Sequence, residues 1–228
     1  MVPAIDIPAI DSVSDRYTPP VDTFWRDAAL IVGAYLAGSL PMGVIVARLT
    51  GGRDPRTVGS GRIGGTNAFR AMGPVRGVLV GLLDVAKGAV PALVARLIGT
   101  PDIVLVLVGL AAVLGAWRSV FLRFRGGRGV ACGFGASLVI VPVAVILAAP
   151  VFLIVVGVTR YVSLGSILAS ATAGLVVIVG VVAGLTPPAL AVFAAVGVAF
   201  VWVAHADNID RLLHGRERRF SFSQRERG

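Results

Sequence analysis

The stretch from Gly38 to Arg70 reads GSLPMGVIVARLTGGRDPRTVGSGRIGGTNAFR, and it is where an otherwise apolar chain becomes polar. Six glycines lie between Gly51 and Gly65, and hydroxyls and arginines are interleaved with them. Because glycine has no Cβ, main-chain N–H groups beside it can approach an anion closely. The stretch therefore predicts half of an anion-binding site, supported by the apolar segments on either side of it.

The composition outside this stretch is that of a membrane protein. The chain is 56% hydrophobic and 14% charged, with a mean hydropathy of +0.88, and its apolar runs recur from Leu30 to His205. Composition of this kind indicates a polytopic membrane protein. The net charge of +9 comes from arginines that flank apolar runs, which favours anionic headgroups over nucleic acid as their partner. With one cysteine, Cys132, the chain has no intrachain disulfide and no cysteine-based zinc site.

The arginine-rich segments predict the topology. The positive-inside rule places the loops 51–73 and 118–129 and the tail from Arg211 in the cytoplasm. An even number of crossings must then separate the second loop from the tail, although only three apolar blocks are visible there, so we expect the first block to double back near Pro142. The predicted fold is all-α: a polytopic membrane helix bundle of about seven transmembrane helices with the N-terminus outside and the C-terminus cytoplasmic. Its expected spans and blocks are 28–50, 75–98, 101–117, 130–158, 163–184 and 188–205.

Three regions follow from this topology. Residues 1–24 are acidic, proline-containing and aperiodic, and they lack the basic start of a secretory signal, so we expect a flexible extracytoplasmic leader. Residues 25–206 form the membrane domain, and residues 207–228 form a basic cytoplasmic tail.

The glycine-rich loop fits no nucleotide-binding motif well. Residues 59–64 satisfy G-x-G-x-x-G, but no strand of a βαβ unit precedes them, and Gly65 stands where a P-loop requires lysine. What remains is a turn suited to a phosphate monoester, with a flexible cytoplasmic linker as the plainer alternative.

Two further segments carry similar chemistry. Arg125 and Arg128 alternate with glycines directly before a helix, whose N-terminus favours an anion, although a headgroup anchor would look the same. His205, Asn208 and Arg211 lie near one helical face at the end of the last span, where a histidine is often only an interfacial residue. All of these segments end on one membrane face. We therefore expect an interfacial site for a water-borne anion and an apolar chain from the bilayer.

In these motifs the chain resembles the bacterial acyl-phosphate:glycerol-3-phosphate acyltransferase family, the PlsY type. The resemblance covers almost the whole membrane region. It rests on G-S-x-P-x-G from Gly38, D-P-R from Asp54, G-S-G-x-x-G-x-T-N-x-x-R from Gly59, D-x-x-K-G from Asp84, F-L-x-F-R-G-G-R-G-V-A from Phe121, Y-V-S-L from Tyr161, H-x-x-N-I-x-R-L from His205, and Glu217.

The resemblance implies transfer of an acyl group from acyl phosphate to the 1-hydroxyl of glycerol 3-phosphate, giving lysophosphatidic acid and phosphate for phospholipid synthesis. It implies neither coenzyme A nor a metal as cofactor. The implied location is the bacterial inner membrane, with a cytoplasmic active site and contact with the enzyme that produces acyl phosphate. His205 is a candidate general base, and the departing phosphoryl oxygens are the favoured alternative. The implied catalytic residues are Ser39, Arg128, His205 and Asn208, and the implied phosphate-binding residues are Arg48, Ser60, Thr66, Asn67, Arg70, Arg125, Arg211 and Glu217.

The chain also departs from the family pattern. The family usually has asparagine at Arg62, alanine at Gly65, histidine at Ala116, proline at Ser119, and lysine at Arg125 and Arg128. A paralogue with another acceptor or without activity therefore stays open. So does a small membrane transporter, for which Asp84 and Lys87 are the main intramembrane polar pair.

Overall fold

The computed structural model describes residues 21–221, and every regular element in that range is helical. The predicted leader lies outside the described residues up to residue 20, and the first helix begins at Val21. The helices are α1 Val21–Ser39, α2 Met42–Leu49, α3 Gly65–Met72, α4 Pro74–Leu97, α5 Asp102–Trp117, α6 Val130–Ile140, α7 Pro142–Thr159, α8 Val162–Val182, α9 Ala189–Ala204 and α10 Ala206–Leu213, with 3-10 turns at Pro55–Thr57 and Val120–Leu122.

The helices account for a multi-pass membrane protein. Four of them are long and apolar enough to cross a bilayer, or six spans are formed if each of two bent helix pairs is one span. The predicted break at Pro142 is confirmed, since α6 ends at Ile140 and α7 begins at Pro142. The 11 residues of α6 rise only about 16 Å, so the count of seven spans and their orientation stay predictions.

The first span differs from the single helix that the hydropathy predicts. It is broken at Leu40 and Pro41, and α2 leaves α1 at 50°. Pro41 cannot donate a backbone hydrogen bond, and two distant side chains satisfy carbonyls at the break. Lys87 Nζ donates to Leu40 O at 2.8 Å, and Ser119 Oγ donates to Ser39 O. Lys87 also pairs at 2.9 Å with Asp84 of the same helix, so its hydrogen bond to Leu40 O is the contact that joins α4 to the break.

Small residues let the helices approach closely. The pair α1 and α5 and the pair α4 and α6 each have glycine against backbone: a Cβ at Gly38 would overlap Ala112 O, and one at Gly135 would overlap Val85 O. Close packing of this kind replaces the hydrophobic drive that helix association lacks in lipid.

The polar segments meet on one face of the bundle. Arg62 NH1 donates to Gly127 O at 3.3 Å, which joins the first loop to the second. Phe220 N donates to Arg160 O at 2.7 Å, which joins the tail to the turn between α7 and α8. Together with the ion pair of Arg128 and Asp207, which links the second loop to α10, these contacts gather segments from Arg62 to Phe220 into one surface, as the topology predicts.

Two glycines in α6 test the helix contact. Gly135→Ala forces α6 away from Val85 O, and we expect overpacking to cost about 1–3 kcal/mol, measured as a lower melting temperature in detergent. Gly133→Ala is the matched control, because a Cβ there would lie at an ordinary 3.5 Å from Val113 Cγ2. Equal melting temperatures for the two variants would contradict the close α4–α6 contact.

Candidate active site

The glycine-rich loop is held in shape by the side chain of Asn67. Its Nδ2 donates to the carbonyl oxygens of Pro55, Val58 and Arg62 at 2.7, 3.0 and 2.8 Å, and its Oδ1 accepts from Ser60 N at 3.2 Å. Gly59 is required beside it, since its φ is +56° and a Cβ there would overlap Asn67 Oδ1. The Asn67 amide is thus hydrogen-bonded to the loop backbone, and it stabilises the conformation of the loop.

This loop forms one wall of an amphipathic cavity of about 410 Å³. Its cationic lining comes from Arg62, Arg118 and Arg125, and its apolar lining includes Trp117, Phe124 and Val203. Guanidinium groups bind phosphate oxygens, and apolar walls accept a hydrocarbon chain. The cavity therefore suits a ligand that carries both.

Arg128 lies where the second loop enters α6. Its NH2 donates to Asp207 Oδ2 at 3.0 Å and to Oδ1 at 3.3 Å, which joins the second loop to α10. Burial lowers the pKa of Arg128, and the charge of Asp207 opposes that shift. The Nε atom is buried and has no partner among the described residues, so one donor of this guanidinium remains for a ligand.

A chain of hydrogen bonds continues from Asp207 into the tail. Asp207 pairs with Arg211 at 3.0 Å, and Arg211 Nε donates to Glu217 Oε2 at 2.9 Å. Glu217 Oε1 accepts from Ser163 Oγ at 2.7 Å and from Asn208 Nδ2 at 2.6 Å. Burial acts to raise the pKa of Glu217, but these three hydrogen bonds outweigh it and hold the pKa below its usual range. Glu217 is therefore an ionised acceptor near neutral pH.

His205 stands at the 59° bend between α9 and α10. Its Nδ1 is 2.7 Å from Val201 O, and because a carbonyl oxygen only accepts, Nδ1 carries the proton. In the neutral ring Nε2 then holds the lone pair. The residue is 3% exposed, so packing also fixes the orientation of its ring.

Ser39 is fully buried at the break in the first span. Its Oγ has no partner among residues 21–221, and Gly115 lies beside it, where a Cβ would sit 3.0 Å from that oxygen. Asn208 Oδ1 is also buried and has no hydrogen-bond partner among the described residues. Buried polar atoms are normally hydrogen-bonded, so these atoms mark places for a bound molecule.

The structure brings most of the predicted site residues together and leaves some apart. Arg128, Asn208, Arg211 and Glu217 form the continuous network, while Ser60 and Arg125 line the cavity. Arg70 is half-buried on α3, where its charge interacts with Arg218 and Glu217. Thr66 lies in the first turn of α3, and Arg48 is exposed at the end of α2, where its charge acts on Asp54.

Sequence reasoning did not assign a role to Asp207, Ser163, Ser119 or Arg62. Asp207 had a visible signal, because it lies four residues before Arg211 on one helical face. The contacts of Ser119 and Arg62 span 80 and 65 residues, so no local sequence pattern predicts them.

The sequence is similar to those of known proteins. Residues 28–215 match the family model described as glycerol-3-phosphate acyltransferase. The chain is 44% identical over 195 residues to the glycerol-3-phosphate acyltransferase of Geobacter sulfurreducens, across 86% of this chain and 98% of that one. It is 46% identical over 196 residues to the protein of that name from Myxococcus xanthus, across 85% and 99% of the two chains.

Solved structures agree with the sequence comparison. The chain is similar to a crystal structure of PlsY, an integral membrane glycerol 3-phosphate acyltransferase, in its glycerol 3-phosphate form, with a TM-score of 0.79 and 42% identity over 86% of this chain and 96% of that one. The lysophosphatidic acid form of PlsY gives a TM-score of 0.76 at 39% identity. The chain therefore belongs to the glycerol-3-phosphate acyltransferase family.

Proposed function

We propose that this protein transfers a fatty acyl group from acyl phosphate to the 1-hydroxyl of glycerol 3-phosphate and releases lysophosphatidic acid and inorganic phosphate. The observation that carries the proposal is the ion pair of Arg128 with Asp207, which brings the second loop to the helix of His205 and Asn208, next to a cavity whose lining is both cationic and apolar. Family membership and the glycerol 3-phosphate form of PlsY support the choice of acceptor.

The reaction requires little beyond positioning of the two substrates and stabilisation of the charge that develops. Acyl phosphate is a mixed anhydride with a good leaving group, so holding two phosphates and the attacking hydroxyl in place supplies most of the catalysis. The 1-hydroxyl oxygen forms a bond to the acyl carbonyl carbon, and the bond between that carbon and the phosphate oxygen breaks. The hydroxyl proton leaves through His205 Nε2 or goes directly to a departing phosphoryl oxygen, and both routes end with it on inorganic phosphate.

Two groups of arginines supply the positive charge that two phosphates require. Arg128 and Arg62 bring cations to the turn where the first loop meets the second, joined there through Gly127 O. Arg125 and Arg118 add charge at the cavity, next to the aromatic wall that suits the acyl chain. Binding of the two phosphates by separate arginines keeps the like-charged reactants in contact with cations throughout the transfer.

In the cell we place the protein in the bacterial inner membrane, with this site facing the cytoplasm. Exposed arginines surround the site, and the positive-inside rule assigns that face to the cytoplasm. The acyl donor would come from a cytoplasmic enzyme that produces acyl phosphate, in direct contact with the same face, and membrane lipids are the remaining partners.

Substitution of the site residues tests the reaction. Arg128→Ala removes a cation and the enclosed Nε donor, and Asn208→Ala removes an enclosed amide. We expect each to reduce phosphate release from acyl phosphate and glycerol 3-phosphate by about 100-fold or more, as for loss of a transition-state donor. The assay uses purified protein in detergent, and the melting temperature confirms that each variant is folded.

Arg216→Ala is the matched control for these variants, since it removes one exposed arginine of the same tail, whose side chain pairs with Asp210 outside the network of Arg128 and Asn208. We expect it to turn over like the wild type. Wild-type turnover in Arg128→Ala or Asn208→Ala would refute the assignment of the site.

Labelling of single cysteines tests the membrane orientation. The native Cys132 is buried and leaves the background low. We expect Arg53→Cys to react with an impermeant thiol reagent in inside-out vesicles and Leu185→Cys to react in right-side-out vesicles, because the two exposed positions lie at opposite ends of the bundle. The reverse pattern would place the site outside the cytoplasm.

A further inference from the structure

The C-terminal tail packs against several distant parts of the chain. Residues 217–220 are called the strap below. At its start, Glu217 bonds to side chains of α8 and α10. At its end, Phe220 N donates to Arg160 O at 2.7 Å, and the ring of Phe220 lies 5.0 Å from the ring of Phe69 at an angle of 57°. The strap therefore runs from the network of Glu217 to α3.

Phe69 lies on the helix that holds the glycine-rich loop in shape. It follows two residues after Asn67, whose amide binds three carbonyl oxygens of that loop. It is also buried against α4, where a Cβ at Gly77 would overlap Phe69 Cα. The charge of Arg70, the next residue of α3, interacts with Glu217 of the strap. The strap is therefore joined through α3 to the first loop.

The contact between Phe69 and Phe220 completes a closed series of contacts among the segments of the site. The other three contacts of the series are polar, and they join Arg62 to Gly127 O, Arg128 to Asp207, and Asn208 to Glu217. Because α3 begins at Gly65, directly after the first loop, the series returns to the segment where it started. The first loop and α10 are thus connected by two routes, one through the second loop and one through the strap.

We infer that Phe220 is a positioning residue for the acyl transfer, because its contact with Phe69 holds the first loop at a fixed distance from α10. The inference rests on the proposed function and adds to it a residue outside the cavity lining. Two phosphates that are bound by separate segments react only if those segments are correctly spaced, and a misplacement of about 1 Å can reduce the rate by about 100-fold. Each phosphate keeps its own arginines when the aromatic contact is lost, so the effect falls on turnover more than on binding.

Kinetics of Phe220 variants of the full-length protein in detergent test this role. In Phe220→Ala we expect kcat for phosphate release to fall by about tenfold or more, because the spacing of the two substrates is no longer fixed. The KM for glycerol 3-phosphate is expected to stay within about threefold of the wild-type value, as for loss of positioning without loss of binding groups. Phe220→Tyr keeps the ring and is expected to restore kcat to within about twofold of the wild type.

Phe24→Ala is the matched control. It breaks a second aromatic contact of similar spacing, in which the rings of Phe24 and Trp25 are 5.3 Å apart. These residues lie near the start of α1, at the opposite end of that helix from Ser39. We expect this variant to have the kcat of the wild type, and melting temperatures confirm that all variants are folded.

Phe69→Ala removes the same contact without changing the sequence of the tail, so it allows a comparison by proteolysis. Trypsin cleaves after the exposed Arg218 and Arg219 only when the strap leaves its contacts. We expect cleavage to be about two- to tenfold faster in Phe69→Ala than in the wild type, as for loss of one aromatic pair, with the released peptide measured by mass spectrometry. Phe24→Ala is expected to be cleaved at the wild-type rate.

The double variant Phe69→Ala/Phe220→Ala shows whether the two rings act as a pair. We expect it to lose no more turnover than Phe220→Ala alone, because both substitutions remove one shared contact. Losses that multiply in the double variant would refute the positioning role.

The remaining outcomes separate this inference from the proposed function. Wild-type kcat in Phe220→Ala, a loss in KM alone, or a Phe220→Tyr variant as slow as Phe220→Ala would each contradict the positioning role while acyl transfer proceeds. Equal cleavage rates in Phe69→Ala and the wild type would show that the aromatic contact does not hold the strap. Failure of the wild type to form lysophosphatidic acid would instead overturn the proposed function.

Discussion

The site depends on one ionised carboxylate that is largely withdrawn from water. The side chain of Glu217 is only 7% exposed, and an isolated charge in such a place is unfavourable unless donors surround it. Ser163, Asn208 and Arg211 supply those donors from α8 and α10. Through Arg211 and Asp207 the same network reaches Arg128 in the second loop. The need to compensate a single charge therefore holds α8, α10, the tail and a loop in one arrangement.

The break in the first span is the second constraint, and it acts from the membrane side. Lys87 and Ser119 donate to Leu40 O and Ser39 O, so α4 and the second loop both hold the segment that carries Ser39. Breaking a buried ion pair is costly, because it leaves an uncompensated charge, and the Asp84–Lys87 pair is therefore tied to the geometry of this break. Lys87, a member of an intramembrane pair that looks like part of a transport path, thus positions the segment that carries Ser39.

Local signals in the sequence predicted the spans, the break at Pro142 and the gathering of basic loops on one face. Hydropathy, proline and arginine bias act over a few residues, so a single sequence contains them. The hydrogen bonds at the Pro41 break and the pairing of Asp207 with Arg128 join residues 47 to 80 positions apart, which no local pattern names. Asn67 shows the same limit: its type and place in a glycine-rich loop fit a phosphate ligand, but the folded loop uses its amide for three carbonyl oxygens.

The arginines around the site differ in exposure, and that difference fits a reaction between a soluble and a lipid-borne anion. Arg118 and Arg125 are exposed at the cavity beside Trp117 and Phe124, where a charged headgroup with an apolar chain can arrive along the bilayer. The side chain of Arg128 is only 18% exposed, and a less hydrated cation interacts more strongly with a phosphate than one in bulk solvent. Outer arginines can attract either substrate, whereas the enclosed one can contact only a phosphate that has entered the site. Electrostatic attraction by the outer arginines and close contact with Arg128 are therefore separated in space.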